Sequence, residues 1–474
     1  MQPKISRSSC TSILVGRKAT NDGSVMIGRN EDSQTAWPKH LSFNARSEVA
    51  NRHFKSKANK FALDLPTLSY QYSAMPEWTD RYGVFAEGGI NEYHVAMSAT
   101  ESAYGNERTL AHDPFNETSG LLEEAMITII LPFVKTAREG VQRLGKIIDQ
   151  FGSAEANGIL FADQTEAWYF EVATGHQWVA QRIPDDAYAV VANQISIEII
   201  DFNDPNQFIT APNLRTFVAE HQLWPTEKPF NFRRIFGTND DSDLVYNTPR
   251  VWSGQHLLTP SIVQQPQSQD LPFIQRADYP ITVSNVQRVL SDHFNGTEYD
   301  LMGADPVAKR FRPISVATTQ ESHVLQLRPN VAPNLVGVHW LAMGVSAQSV
   351  YVPFYSQGSH VPLMYQRGKA DYSPSSAYWV FKHAGVLVDR DHFRFARDLS
   401  QTQSQVTTKL WQQLAATDQV YSNLSSHEEQ QAQLDQHNAQ VAKIALTGYQ
   451  ALISRLITKQ TQQSPLNFKV DPNL

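Results

Sequence analysis

Apolar and polar residues alternate in short runs over the first hundred positions, the pattern of strands with one buried face. Thr11 to Gly16 is β-branched and apolar and ends in Gly, and Ser24 to Gly28 reads as its returning partner. Between them, Thr20-Asn21-Asp22-Gly23 is turn chemistry. Pairing Gly16 near Ser24 gives partners whose numbers sum to about 40. A second hairpin is predicted from Tyr82–Ala86 and His94–Thr100, turning at Gly88-Gly89. The period then changes. Leu121, Leu122, Ala125, Met126 and Ile129 keep a helical spacing, Pro132 breaks it and Val134 to Phe151 resumes it, so residues 119–151 are predicted helical. A four-strand meander follows at 158–162, 167–172, 177–180 and 187–192, with turns at Asp163-Gln164 and Thr174-Gly175.

Residues 200–275 lose this regularity. Eight prolines, from Pro205 to Pro272, sit among many Asn, Asp and Gln. Long loops and short helices are expected there, either carrying a substrate pocket or forming a surface insertion. Strand character returns at Gly337–Gly344 and Ser349–Tyr355. The last hundred residues are helical: Leu434, Val441, Ile444, Ala445, Leu452, Ile453 and Leu456 make one apolar stripe for packing or oligomerisation, and a homo-oligomer is expected. Strands, helices and strands again predict an α+β fold whose sheets are covered by helices.

Charge and composition narrow the function. Lys plus Arg number 40 and Asp plus Glu 47, a net charge of −7, which argues against a nucleic-acid partner. No apolar run approaches the ~18 residues of a membrane helix, so no membrane partner is expected. The first ten residues lack the apolar core of a signal peptide, and a cytoplasmic location is the expectation. There is no His-Glu-x-x-His, phosphate-binding Gly-rich loop or Gly-x-Ser-x-Gly.

Cys10 is the sole cysteine, so neither an intramolecular disulfide nor a thiolate metal cluster is open to this chain. It stands at the mouth of the first predicted strand. The expected register puts it opposite Arg29 or Asn30, with Asp32 close by. A nearby guanidinium favours the nucleophilic thiolate. Two readings are open from the residues alone: a nucleophile with its partners, or a lone buried Cys beside an ordinary Arg29–Asp32 ion pair. From the residues alone Asn193 reads as a strand-end cap and Arg250 as a loop ion pair.

Cys10-Thr11 followed by Gly28-Arg29-Asn30-x-Asp32 resembles the opening of the N-terminal-nucleophile (Ntn) amidohydrolases, which include penicillin V acylase and bile salt hydrolase. The stretches Gly89–Thr100, Tyr188–Gln194, Thr248-Pro249-Arg250-Val251-Trp252 and Val338 to Tyr355 are similar to their dipeptidase branch, the bacterial dipeptidase A family of cysteine dipeptidases. The matches run in order from Cys10 to about Tyr355.

The resemblance implies a four-layer αββα sandwich over 10–370 with a helical extension over 371–474. It also implies a propeptide, residues 1–9, removed by self-cleavage between Ser9 and Cys10. Arg29 matches the Arg beside the sulfur, Asp32 the Asp that holds the α-amine, Asn193 the oxyanion Asn and Arg250 a second active-site Arg. The implied reaction is hydrolysis of unblocked dipeptides through a Cys10 thioester. The new α-amine, with an ordinary pKa of about 8, acts as base. No metal or organic cofactor is required. Where the acylases place Asn or Tyr, this chain has Glu101, and Glu101 and Arg250 are the expected partners for the ammonium and carboxylate of the substrate. Two alternatives stay open: an acylase of a non-peptide amide, and a non-catalytic scaffold resembling the secernins.

Overall fold

The structure, a computed structural model, describes residues 10–303, 309–464 and 466, and of 100–102 the backbone only. Among these residues, helices and antiparallel strands build an α+β fold around two six-stranded sheets. The first sheet contains β1 (Thr11–Val15), β2 (Val25–Asp32), β8 (Tyr188–Val191), β10 (Thr319–Leu327), β11 (Gly337–Met343) and β12 (Val352–Tyr355), in the order β8-β1-β2-β10-β11-β12. The second contains β3 (Gly88–Ile90), β4 (Ala96–Ser102), β5 (Asn157–Ala162), β6 (Ala167–Val172), β7 (Trp178–Ile183) and β9 (Phe208–Thr210), in the order β9-β7-β6-β5-β4-β3.

Period-two alternation divides the first sheet between two cores. Leu14, Ile27, Leu325 and Leu327 face the second sheet and share a cluster with Ile159 and Phe161. Ile13, Val15, Met26 and Val324 face the other way, onto α4 (Val283–Leu290) through Val286 and Val289. The outer side of the second sheet carries α1 (Glu123–Ile130) and α2 (Ala137–Phe151). Gly145 lets α2 close on that sheet, since a Cβ there would lie 2.4 Å from the Trp178 ring. Each fully buried Leu, Ile or Phe contributes about 1.5–3 kcal/mol, so this alternation stabilises the layers strongly.

The C-terminal stripe is a packing face. Val441, Ala445, Tyr449, Leu452 and Leu456 of α7 (His427–Thr461) share a cluster with Leu341, Val352 and Phe354, and with α5 (Ala377–Asp389) and α6 (His392–Tyr421). Asn438 of α7 accepts from Tyr355 N at 2.9 Å and donates to Tyr355 O at 3.2 Å, so a side chain pairs the backbone of the sheet's edge strand.

Three local expectations are corrected. Tyr82–Ala86 is not a strand. The arm paired with β4 is Gly88–Ile90, the residues read as the turn. Glycine is needed there for close approach, because a Cβ on Gly89 would sit 1.7 Å from Ser73 O. The fourth strand of the expected meander, β8, leaves the second sheet and pairs with β1. In the first hairpin, partners sum to 41: Thr11 faces Asn30, Ser12 Arg29 and Leu14 Ile27. The connection over 16–24 is not a tight turn, and Thr20 bridges to Ile281. Core pattern therefore sets the register: a sum of about 40 would oppose Leu14 to Met26, whose side chains belong to different cores.

Candidate active site

Cys10 directly precedes β1, is buried and carries the site's thiol. Continuing the register places it across from Glu31 rather than Arg29 or Asn30. Arg29 still reaches it, because Cys10, Ser12, Arg29 and Glu31 share the face toward the second sheet. Arg29 Nη2 lies 3.0 Å from Cys10 Sγ, and Sγ is 3.7 Å from Glu31 Oε2. The guanidinium has both terminal nitrogens engaged in this corner. It pairs with Glu31, donates to Glu87 at 2.9 Å and to Ala99 O at 2.5 Å, and has Glu123 at 3.5 Å. Lys39 completes the network, 3.1 Å from Glu87.

The electrostatics are mixed. Burial pushes the Cys10 thiol well above its ordinary value, Arg29 pulls it down, and Glu31, Asp32 and Glu123 push it up again. The resting sulfur is therefore a thiol. Burial raises Glu31 well above the carboxyl range against the opposing pull of Arg29 and Lys39. Burial would raise Glu87 too, but Lys39 and Arg29 outweigh it and hold this carboxyl low. These two neighbouring carboxyls are thus shifted in opposite directions, Glu31 up and Glu87 down.

Asp32 lies one residue on, so its side chain points to the opposite face. There it accepts from Arg312 at 2.6 Å and from Thr319 at 2.5 Å. Burial nonetheless raises its pKa, the Arg312 charge being the chief opposing influence. Asp32 is not bonded to the thiol, although its charge is felt there.

Arg250 and Asn193 meet at the backbone of Cys10. Arg250 belongs to α3 (Thr248–Leu258), whose first turn holds Pro249. Its Nη1 donates to Cys10 O and, at 3.0 Å, to Thr11 Oγ1, and its Nη2 donates to Asn193 Oδ1 at 2.7 Å and Asn247 Oδ1 at 2.8 Å. Asn193 follows β8 in a fully buried position, and its Nδ2 has no hydrogen-bond partner. Because Oδ1 accepts from Arg250, the amide orientation is fixed and the unpartnered group is the donor. Residues 200–275 thus supply Arg250 rather than a wall of the cavity at Cys10. Ser9 lies outside the described residues, as does the Glu101 side chain. The Glu101 backbone sits in β4 opposite Gly158, beside a register shift.

A cavity of about 300 Å³ opens at the thiol. Its lining includes Cys10, Trp37, Tyr82 and Phe85, together with Glu31, Glu77, Glu123, Glu124 and Glu155. Glu31, Glu87 and Glu123 bring one carboxylate oxygen each within 4.8 Å of one another, the spacing of a metal cage. Arg29 contacts all three, so a guanidinium already supplies the positive charge there.

Ser98, His323 and Glu321 copy the hydrogen-bond order of a hydrolytic triad. Ser98 Oγ is 3.0 Å from His323 Nε2, and Glu321 Oε1 is 3.0 Å from His323 Nδ1. All three are fully buried between the sheets and none lines the cavity at Cys10. Their hydrogen bonds link β4 of the second sheet to β10 of the first.

Sequence reading missed Glu31, Lys39, Glu87, Glu123, Arg312 and Thr319. Glu31 was legible, because side-chain alternation puts it on the face of Arg29. The others carry no local signal, and only the packing of distant elements brings them in.

A buried thiol, a guanidinium against it and an amide donor without a hydrogen-bond partner, tied to the same residue, are groups that acyl chemistry could use. The chain belongs to peptidase family C69, whose model matches residues 9–405. It is a peptide-bond hydrolase. It is 41% identical to a probable dipeptidase of Latilactobacillus sakei over 100% of both chains. It is 38% identical to probable dipeptidase B of Lactococcus lactis subsp. lactis over 98% of both, and 35% identical to dipeptidase A of Lactobacillus helveticus over 81% of this chain and 83% of that one. Among the described residues, no helix is long and apolar enough to cross a membrane.

Proposed function

We propose that this chain is a cysteine dipeptidase that cleaves itself between Ser9 and Cys10 and then uses Cys10 as an N-terminal nucleophile. The reading includes an Ntn-type αββα sandwich over 10–370, with 371–474 as a helical extension packed on it. Membership of family C69, the names of the relatives and the facing sheets support it. The observation that carries it is the Arg250 bridge, which holds Asn193 beside the backbone of the single thiol and leaves the Asn193 donor unpartnered.

The chemistry follows. Cys10 Sγ attacks the peptide carbonyl carbon, and the thiol proton passes to the α-amine released by cleavage. A resting thiol needs such a base. Arg29 stabilises the sulfur as it becomes anionic. Asn193 Nδ2 donates to the developing oxyanion. The C–N bond breaks, the amine proton goes to the leaving group and a thioester remains. Water, activated by the same amine, hydrolyses it and restores the thiol. Asp32, held by Arg312 and Thr319, orients the amine, and Arg250 positions the Cys10 carbonyl and Asn193.

An intact mass of the purified protein tests the first step: the expected species starts at Cys10, and Cys10→Ala stays full length, folded and inactive. Active protein still carrying Met1 would overturn the N-terminal-amine mechanism.

A further inference from the structure

Resting on the dipeptidase reading, we propose that Glu123, backed by Glu124, holds the substrate's free α-ammonium, so that the enzyme selects its substrate from the amino end. This moves ammonium recognition from Glu101 to α1 and removes Arg250 as the partner of the carboxylate.

Distance locates the subsite. At attack the carbonyl carbon stands about 3–3.5 Å from the nucleophile, and the α-nitrogen is about 2.5 Å from that carbon by bond geometry. The counter-charge therefore belongs about two hydrogen-bond lengths from the sulfur. Arg29 Nη2 lies 3.0 Å from Sγ, and Glu123 Oε1 lies 3.5 Å from Nη2, so Glu123 is at most 6.5 Å from the sulfur and within reach of that position. Its side chain is 16% exposed and lines the cavity. Glu31 is nearer, but its Oε2 is already taken by Arg29 Nη2 and lies 3.7 Å from the thiol.

Glu124 supplies the independent sign of a ligand. The residue is 2% exposed and lines the same cavity; its Oε2 accepts from Val84 N at 3.3 Å, while its Oε1 has no hydrogen-bond partner. A buried carboxyl oxygen without a partner is costly unless something fills the role. A substrate –NH3+ brings three donors. Glu155 shapes this wall by accepting from Glu123 N at 2.9 Å, which caps the start of α1.

The carboxyl end of a dipeptide finds no such partner. No Lys, Arg or His is among the described residues lining the cavity. Arg250 is not at its wall and is spent on Cys10 O, Thr11, Asn193 and Asn247. Space rather than charge limits length, since about 300 Å³ is at the small end of ligand sites.

The experiment compares Ala-Ala, N-acetyl-Ala-Ala and Ala-Ala-amide on wild type, Glu123→Gln, Glu123→Asp and Cys10→Ala. In wild type, acetylation is expected to lower kcat/KM at least about 100-fold and amidation less than about fivefold, because only the first removes a charge with a built counter-charge. Glu123→Gln should raise KM for the free and amidated substrates at least about tenfold, change kcat less and leave the acetylated rate unchanged. Glu123→Asp should recover part of the loss. The inference is overturned if Glu123→Gln keeps a wild-type KM, if its loss is equal on free and acetylated substrates, or if amidation harms as much as acetylation. Hydrolysis that survives Cys10→Ala would overturn the thioester reading itself. An inactive Cys10→Ala beside a Glu123→Gln of wild-type KM would overturn the ammonium assignment alone.

Discussion

Asn193 divides one amide between two tasks: Oδ1 accepts from Arg250, and Nδ2 is left as a donor. Asn193→Asp separates them. The variant keeps an acceptor for Arg250 and loses the donor. Its kcat should fall about 10²–10³-fold, the usual cost of one oxyanion donor. Its melting temperature should stay near wild type, since the Arg250 contact survives. Equal activity in Asn193→Asp would remove Asn193 from the oxyanion site. Arg29 shows a second residue-scale lesson. A cation 3.0 Å from a thiol does not by itself make a thiolate, because burial and three carboxylates act against it.

At the scale of elements, β10 is the joint of the molecule. It pairs β2 with β11, and its His323 reaches across to Ser98 of β4. Ser98→Ala would leave His323 Nε2 without this partner. A loss of about 1–3 kcal/mol in stability is expected, the cost of an unsatisfied buried group, with kcat/KM unchanged. Urea unfolding and steady-state kinetics check the two halves. A large loss of activity in a folded Ser98→Ala would mean that the sealed triad takes part in the chemistry. Polar residues facing inward also explain why β10 is hard to read in sequence. Gln320, Glu321, Ser322 and His323 are all buried and hide the apolar alternation, and the partners that satisfy Ser322 and His323, Tyr351 and Ser98, lie outside the strand.

For the whole molecule, His437 ties the C-terminal helices to the first sheet. Nε2 donates to Pro353 O at 2.8 Å, so Nδ1 is the acceptor for the Thr417 hydroxyl at 2.9 Å. Burial lowers its pKa to about 4, with the Pro353 carbonyl and Asp418 opposing and Arg328 assisting. The sign follows from linkage. The unfolded chain takes up a proton near the ordinary value of about 6.5, before the folded chain does. This stabilisation is complete above that value and is lost as pH falls toward about 4, on the order of 3 kcal/mol in all. His437→Gln should be less stable than wild type at neutral pH, and the gap should shrink toward about pH 4.5. A constant gap in denaturant titrations at both pH values would show that folding does not lower the His437 pKa.

Local chemistry was enough for much of this protein. The hairpin around Cys10, the helices broken at Pro132, the meander up to its third strand and the C-terminal stripe follow from period, turn residues and proline, which act over a few positions. The order of motifs from Cys10 to Arg250 was likewise legible, as was membership of a peptidase family. Register, sheet assignment and the charged shell were decided by tertiary structure. The register moved by one residue because two cores, not the turn, select which side chains share a face. β8 left its meander for the first sheet, where it pairs with β1 and delivers Asn193 to the backbone of Cys10. Glu87, Glu123 and Arg312 enter from 77 to 302 positions away from Cys10, and no local pattern can announce a charge whose meaning depends on a partner that distant.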